Sequence, residues 1–150
     1  MMSKIVRTMS KIVFVLSVIF GFYVIAEGHL TPGGGFQGGA VAASGFALLV
    51  VAFGYESLVE HKETFAILES LALLTFLGLA TMGIGIMFFY NILAVPVAFG
   101  PNPGYLISGG FVPLMNIAVG FEVIGGISSI IILMAKASYE NTKDMITKEE

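Results

Sequence analysis

The sequence has no cysteine and few charged residues. The absence of cysteine from the 150 residues excludes disulfides and thiolate metal sites, and it leaves the redox compartment undetermined. Asp, Glu, Lys and Arg make up 11% of the chain, whereas ordinary soluble domains contain about 25%. Hydrophobic residues make up 57%, and the mean hydropathy is +0.95. A soluble chain this short could not bury so much apolar surface in one core, so we expect its surroundings to be lipid.

Four apolar segments are long enough to be considered as transmembrane helices, each of which needs about 20 mostly apolar residues. They predict an all-α polytopic membrane protein in which a single domain covers residues 1–150. The predicted helices cover residues 5–26, 38–54, 65–95 and 111–135, and a polar tail follows at 136–150.

All seven basic residues fall on one side of the membrane if the chain crosses it four times. They are Lys4, Arg7, Lys11, Lys62, Lys136, Lys143 and Lys148, whereas the loops at 27–37 and 96–110 contain no Lys or Arg. Because cytoplasmic loops are enriched in Lys and Arg, both termini are predicted to be cytoplasmic, in a plasma-membrane protein. A signal peptide ending near Ala26 is the less favoured interpretation, since its removal would spoil this segregation.

The loop between the first two segments has the sequence GHLTPGGGFQGG, residues 28–39. Proline and glycine make a regular helix unfavourable over the run Thr31, Pro32, Gly33, Gly34 and Gly35. Irregular backbone at membrane depth must be buried in protein or bathed in water. A nearly uncharged loop that carries Phe36 is therefore expected to pack into protein at or below the external surface. His29 either makes a structural hydrogen bond or takes part in proton or cation access, since imidazole titrates near neutral pH.

Small residues continue from this loop into the second segment. Gly38, Ala42 and Gly45 share one helical face, and Gly35 and Gly39 have GxxxG spacing. Such stripes allow membrane helices to approach closely. Two interpretations remain open, which are packing within the four-helix unit and an interface with a partner subunit.

Glu122 is the residue whose position most strongly suggests a chemical role. It is the twelfth residue of the apolar run 111–134, which places it near the bilayer midplane. A charge there costs about 2.5–3.5 kcal/mol on insertion scales, so Glu122 requires protonation, a partner or a wet cavity. It is a candidate for ion or proton transfer, and a protonated side chain held in a helix interface is the alternative. Glu69, near the start of the third segment, is a weaker candidate that could face interfacial water.

Two motifs resemble a known family. GHLTPGGGFQGG is similar to the signature of the MnhB-like subunits of Mrp-type (Mnh) monovalent cation/proton antiporters and of their equivalents in membrane-bound hydrogenase-type complexes. NIAVGFEVIGG, residues 116–126, resembles the last membrane helix of that family and contains Asn116, Gly120 and Gly125 as polar or packing positions. Leu30 follows the histidine where antiporter members often carry Asn, which leaves the branch of the family open.

The resemblance implies a small membrane subunit of a multisubunit Na+/H+ antiporter module, either free-standing or within a redox-driven complex. Other membrane subunits would be its partners, and Na+ and H+ the transported ions. The alternatives are a purely structural subunit and, less favoured, a small autonomous channel. The motifs contain no nucleophile–base pair, metal-ligand cluster or cofactor signature, so we expect no active site, cofactor, metal or nucleic-acid partner.

Overall fold

The computed structural model describes residues 2–54, 56–82, 87–91 and 109–149, except for the side chains at 57, 58, 148 and 149. Every regular element in these ranges is an α-helix. The helices are α1 (Lys4–Glu27), α2 (Gly35–Phe53), α3 (Glu56–Val59), α4 (Lys62–Thr81) and α5 (Phe111–Glu149). The all-α prediction is confirmed for this part of the chain.

Four helices are long and apolar enough to cross a membrane, namely α1, α2, α4 and the stretch Phe111–Thr147 of α5. This agrees with the number of spans predicted from the sequence. A helix satisfies its backbone hydrogen bonds within one segment, which is the requirement that a lipid environment imposes.

The start of α2 differs from the prediction. Gly35 is its first residue, and Gly34 precedes it with φ 150° and ψ −178°, a conformation that glycine alone adopts readily. The Gly38 amide then donates to the Gly34 carbonyl at 3.1 Å. Gly35 was predicted to be irregular, and this was wrong because the chain turns at Gly34 and enters the helix at once.

The third and fourth spans also have different ends from those predicted. α4 begins at Lys62 and ends at Thr81, and residues 87–91 are not helical. The predicted helix over 65–95 is therefore too long, although its residues 83–86 and 92–95 lie outside the described part. α5 continues without a break through the predicted tail to Glu149, since that segment contains neither proline nor glycine.

Helices α2 and α5 form the centre of the fold, with α1 packed along α2 and α4 packed along α5. The central cluster contains Ile25, Ala42 and Ile124 from α1, α2 and α5. The rings of Phe46 on α2 and Phe65 on α4 meet edge to face, with their centroids 5.1 Å apart. The core is therefore thin and depends on close approach of the helix backbones.

Glycines allow that close approach on two faces of α2. A Cβ atom on Gly21 of α1 would lie 2.7 Å from the Gly38 carbonyl oxygen. On the other face, a Cβ atom on Gly39 would lie 2.7 Å from the Gly120 carbonyl oxygen of α5. Of the two interpretations of the small-residue stripes, the structure therefore shows packing inside the subunit, where dispersion contacts hold membrane helices together.

The outer faces of α1 and α4 are apolar and exposed in the described part of the chain. Ile5 and Leu16 of α1 are 73% and 60% exposed, and Leu74 of α4 is 69% exposed. Lipid tails surround such side chains as favourably as a protein core does. These faces therefore suit acyl chains or the helices of neighbouring subunits.

Candidate functional site

Residues 28–34 form a compact turn between α1 and α2. The amides of Leu30 and Thr31 both donate to the Glu27 carbonyl, at 2.8 and 3.0 Å. A Cβ atom on Gly28 would lie 2.6 Å from the Gly34 Cα, so the two ends of the turn are in contact. Pro32 and Gly33 lie within this irregular stretch, as the sequence predicts.

Phe36 and His29 have different surroundings at this end of the molecule. Phe36 is 63% exposed, so this chain does not cover its ring. His29 is half-buried, and its Cδ2 lies 3.4 Å from the position that a Cβ atom on Gly109 would occupy. The histidine therefore packs beside the residues that lead into α5.

Asn91 holds the same junction together. Its Nδ2 donates to the Gly109 carbonyl at 2.9 Å, and its Oδ1 accepts from the Phe111 amide at 3.0 Å. Asn91 was predicted to lie inside the third helix, whereas the structure makes it the cap of α5. The hydrogen bond between Asn91 and Phe111 joins residues 20 positions apart, so no local sequence pattern could have indicated it.

Glu69 of α4 packs against α5. A Cβ atom on Gly125 would lie 3.0 Å from the Glu69 Cβ, and one on Gly126 would lie 3.5 Å from the Glu69 Oε1. The absence of side chains at these two glycines makes room for the carboxyl group. Glu69 itself is half-buried.

Glu122 lies on the same part of α5. It precedes Gly126 by four residues, so it occupies the same helical face about 6 Å along the axis. It is also half-buried. The fold therefore places Glu69 at the α4–α5 contact, and Glu122, 53 positions later in the sequence, lies about one helical turn from that contact along α5.

Two hydroxyl groups lie just beyond these acids on α5. The Oγ atoms of Ser128 and Ser129 are shielded from solvent and have no hydrogen-bond partner among the described residues. Burial of an unpartnered hydroxyl is unfavourable, so each of these groups retains unused hydrogen-bonding capacity. They were not predicted as site residues, although two adjacent serines in an apolar run are a visible signal.

An apolar groove of about 390 Å³ lies between α4 and α5. Its lining residues are Leu68, Leu71, Ala72, Thr75, Leu79, Leu114, Ile117, Ala118 and Phe121. Leu68 and Phe121 directly precede Glu69 and Glu122 in the chain. The hydroxyl of Thr75 donates to the Leu71 carbonyl at 2.8 Å, so the groove presents an apolar wall.

The remaining candidate positions serve helix packing. A Cβ atom on Gly120 would lie 2.6 Å from the Ile25 Cδ1, and the Asn116 carbonyl lies against Gly35. Gly125 faces α4, where a Cβ atom would lie 2.8 Å from the Phe65 carbonyl oxygen. Across the described ranges, no three His, Asp or Glu side chains come together in a way that could hold a metal ion.

The described residues form a small helical protein with four candidate membrane spans and a carboxyl group at the contact between α4 and α5. The comparisons with known proteins then define the family. Residues 5–129 match the domain related to the MnhB subunit of Na+/H+ antiporter. The chain belongs to this family, and the resemblance found in its two motifs is confirmed.

Individual relatives agree with this assignment. The chain is 38% identical over 137 residues to an uncharacterized protein of Methanocaldococcus jannaschii, covering 89% of this chain and 52% of the relative. It is 45% identical over 56 residues to a putative antiporter subunit mnhB2 of Staphylococcus aureus, covering 37% of this chain and 40% of the relative.

A solved structure has the same fold. A chain of the membrane-bound sulfane sulfur reductase, an archaeal respiratory membrane complex, is 34% identical and superimposes with a TM-score of 0.77. The match covers 89% of this chain and 58% of that chain. The present chain thus spans about half the length of the longer relatives that it matches.

Proposed function

We propose that the chain is a membrane subunit of a multisubunit cation/proton antiporter module, in which Glu122 and Glu69 border the path of the transported proton or cation. The observation that carries this proposal is the packing of the Glu69 carboxyl group against Gly126 of α5, about one helical turn from Glu122. An ionised carboxyl group costs about 2.5–3.5 kcal/mol in the bilayer. A shared proton or a bound cation removes this cost, which is the chemistry that an ion path requires.

The proposed setting of the subunit follows from its charges and its apolar faces. Both termini are cytoplasmic in the plasma membrane, because all seven basic residues then lie on that side. Neighbouring membrane subunits cover part of the apolar outer faces of α1 and α4. Membership of the MnhB-related family favours Na+ and H+ as the transported ions. The host is either a free-standing antiporter or a redox-driven complex, and the likeness to a respiratory complex supports the second form.

The Glu122→Gln substitution tests the role of the carboxyl group. It keeps the size and the hydrogen-bonding capacity of the side chain and removes its acidity. Cation/proton exchange, measured in vesicles that contain the whole complex, should fall to near background while the complex still assembles. Glu140→Gln is the matched control, because Glu140 lies on the same helix at an exposed position beside Lys136, and it should leave exchange unchanged.

A structural subunit is the second candidate function, and the glycine packing of α2 together with the uncovered apolar faces favours it. On this alternative, Glu122→Gln either leaves exchange normal or prevents assembly. Purification through a tag at the C-terminus distinguishes these results, since it recovers the neighbours of the chain. Nickel–iron or iron–sulfur proteins among them would indicate a redox-driven host, and antiporter-like subunits alone a free-standing exchanger.

A further inference from the structure

A cationic groove lies between the start of α1 and the end of α2. Its volume is about 520 Å³, and its lining residues are Lys4, Arg7, Thr8, Lys11, Ile12 and Phe53. Positions three and four apart share a helical face, so the three cations project from one side of α1. The ring of Phe53 forms the opposite wall, since Arg7 Cζ and Lys11 Nζ each lie 5.3 Å from its centroid.

The positive charge of this groove is not neutralised by the described part of the chain. In the ranges that the structure describes, none of the three cations forms an ion pair with a carboxylate. Arg7 Nε is shielded from solvent and has no hydrogen-bond partner there. The first turn of α1 contains no acidic residue, so the helix dipole adds to the positive potential. The groove is therefore suited to an anion.

An apolar strip continues from the groove along α1. Ile12, Val15 and Ile19 follow the basic residues at helical spacing and are 50%, 51% and 62% exposed. A ligand that fits both parts has an anionic head and a long apolar body. We propose that this groove binds the phosphate headgroup of an anionic phospholipid, whose acyl chains lie along this face of α1.

The chemistry of the groove favours a phospholipid over other anions. A guanidinium and two ammonium groups satisfy phosphate oxygens through charge-assisted hydrogen bonds. Free phosphate would use these groups but not the apolar strip. Each Lys or Arg in a basic cluster at the end of a membrane span raises the affinity for an anionic lipid about fivefold. The three cations therefore make the site selective for anionic lipids.

A tryptophan at position 53 reports on the groove directly, because the natural chain contains no tryptophan. Phe53→Trp keeps an aromatic ring over the cations. The full-length variant is placed in vesicles with the same lipid composition in both leaflets, so the result does not depend on orientation. Its fluorescence is titrated with brominated phosphatidylglycerol and, separately, with brominated phosphatidylcholine. The anionic lipid should quench at a concentration at least several-fold lower, and added salt should reduce this preference.

Variants made in the same background assign the binding to the cations. Arg7→Gln with Lys11→Gln should reduce the preference for the anionic lipid by about fivefold for each cation removed. Arg7→Lys with Lys11→Arg should retain it, and so should the matched control Lys136→Gln with Lys143→Gln. Equal quenching by both lipids, or a preference that salt does not change, would overturn the proposal without reliance on any variant.

Two further outcomes would replace the lipid by another ligand. If inorganic phosphate displaced the brominated lipid at millimolar concentration, the groove would be a site for free phosphate. If the Gln double variant kept the lipid preference but lost a neighbouring subunit on purification, the groove would be a docking site for an acidic protein segment. Either result would contradict the phospholipid assignment.

Discussion

At the scale of single residues, the Asn91 side chain joins two segments of the chain. It joins the non-helical stretch 87–91 to the start of α5 by one donated and one accepted hydrogen bond, to Gly109 and Phe111. The first amides of a helix have no intrahelical partner, and a proline at position 113 of the same turn has no amide to offer. Asn91 therefore supplies the acceptor for the Phe111 amide, while the Val112 amide donates to the nearby Gly109 carbonyl at 3.2 Å.

Substitution of Asn91 by alanine should destabilise this junction. The loss of the cap and of the second hydrogen bond is expected to cost about 1–3 kcal/mol, which thermal unfolding of the solubilised complex would measure. Asn91→Asp keeps an acceptor for the Phe111 amide and loses the donor to Gly109, so it should have an intermediate effect. If the Asn91→Ala variant were as stable as the wild type, the two hydrogen bonds of Asn91 would not stabilise the junction.

At the scale of elements, α2 is the helix on which the fold depends. Its two glycine faces contact α1 on one side and α5 on the other, with backbone atoms closer than any side chain allows. Membrane helices gain little from burial of apolar area, because lipid is already apolar. The steric fit of Gly38 and Gly39 therefore replaces the hydrophobic core that holds a soluble domain together.

Gly39→Ala and Gly78→Ala compare a position where an added Cβ atom would clash with one where it would not. A Cβ atom on Gly39 would meet the Gly120 carbonyl at 2.7 Å, so Gly39→Ala should separate α2 from α5 and cost about 1–3 kcal/mol. A Cβ atom on Gly78 of α4 would have no neighbour within 4 Å among the residues that the structure describes, so Gly78→Ala should be neutral or should stabilise by up to about 1 kcal/mol. The same thermal assay measures both, and an equal loss in the two variants would contradict the packing argument.

The whole molecule has an apolar surface over most of its spans and carries its charge at the ends. Lys4, Arg7 and Lys11 begin α1, and α5 carries Lys136 and further charged residues past its apolar run. Four spans place these two charged ends on the same side of the membrane, together with the short connection between α2 and α4. This arrangement is why the orientation proposed above follows from the charge pattern.

The orientation can be measured because the chain has no cysteine of its own. Single cysteines at Ser3, Thr31 and Ser138 would occupy exposed positions. A membrane-impermeant thiol reagent should label positions 3 and 138 in inside-out vesicles only, and position 31 in right-side-out vesicles only. Labelling of positions 3 and 138 from opposite sides would mean an odd number of spans and would contradict the proposed topology.

Glu69 and Glu122 show which features of the candidate site could be predicted from the sequence. Glu69 and Glu122 were each found from the sequence, because a carboxyl group inside an apolar run is a local signal. The contact of Glu69 with Gly126 was not predicted, since the rotation of α4 about its axis and its approach to α5 involve residues more than 50 positions apart. Asn91 was misplaced for the same reason, because its partners lie 18 and 20 positions away.

The sequence by itself determined the number of spans, the irregular turn before α2 and the likeness to the family. These properties depend on local composition in a lipid solvent and on residues adjacent in the chain. Only the tertiary structure decided that both glycine faces of α2 are used inside the subunit, that Glu69 lies against α5 and that Phe53 closes the groove of Arg7 and Lys11. Such contacts depend on how each helix is rotated and how closely its neighbours approach, and the order of residues along one helix does not specify either.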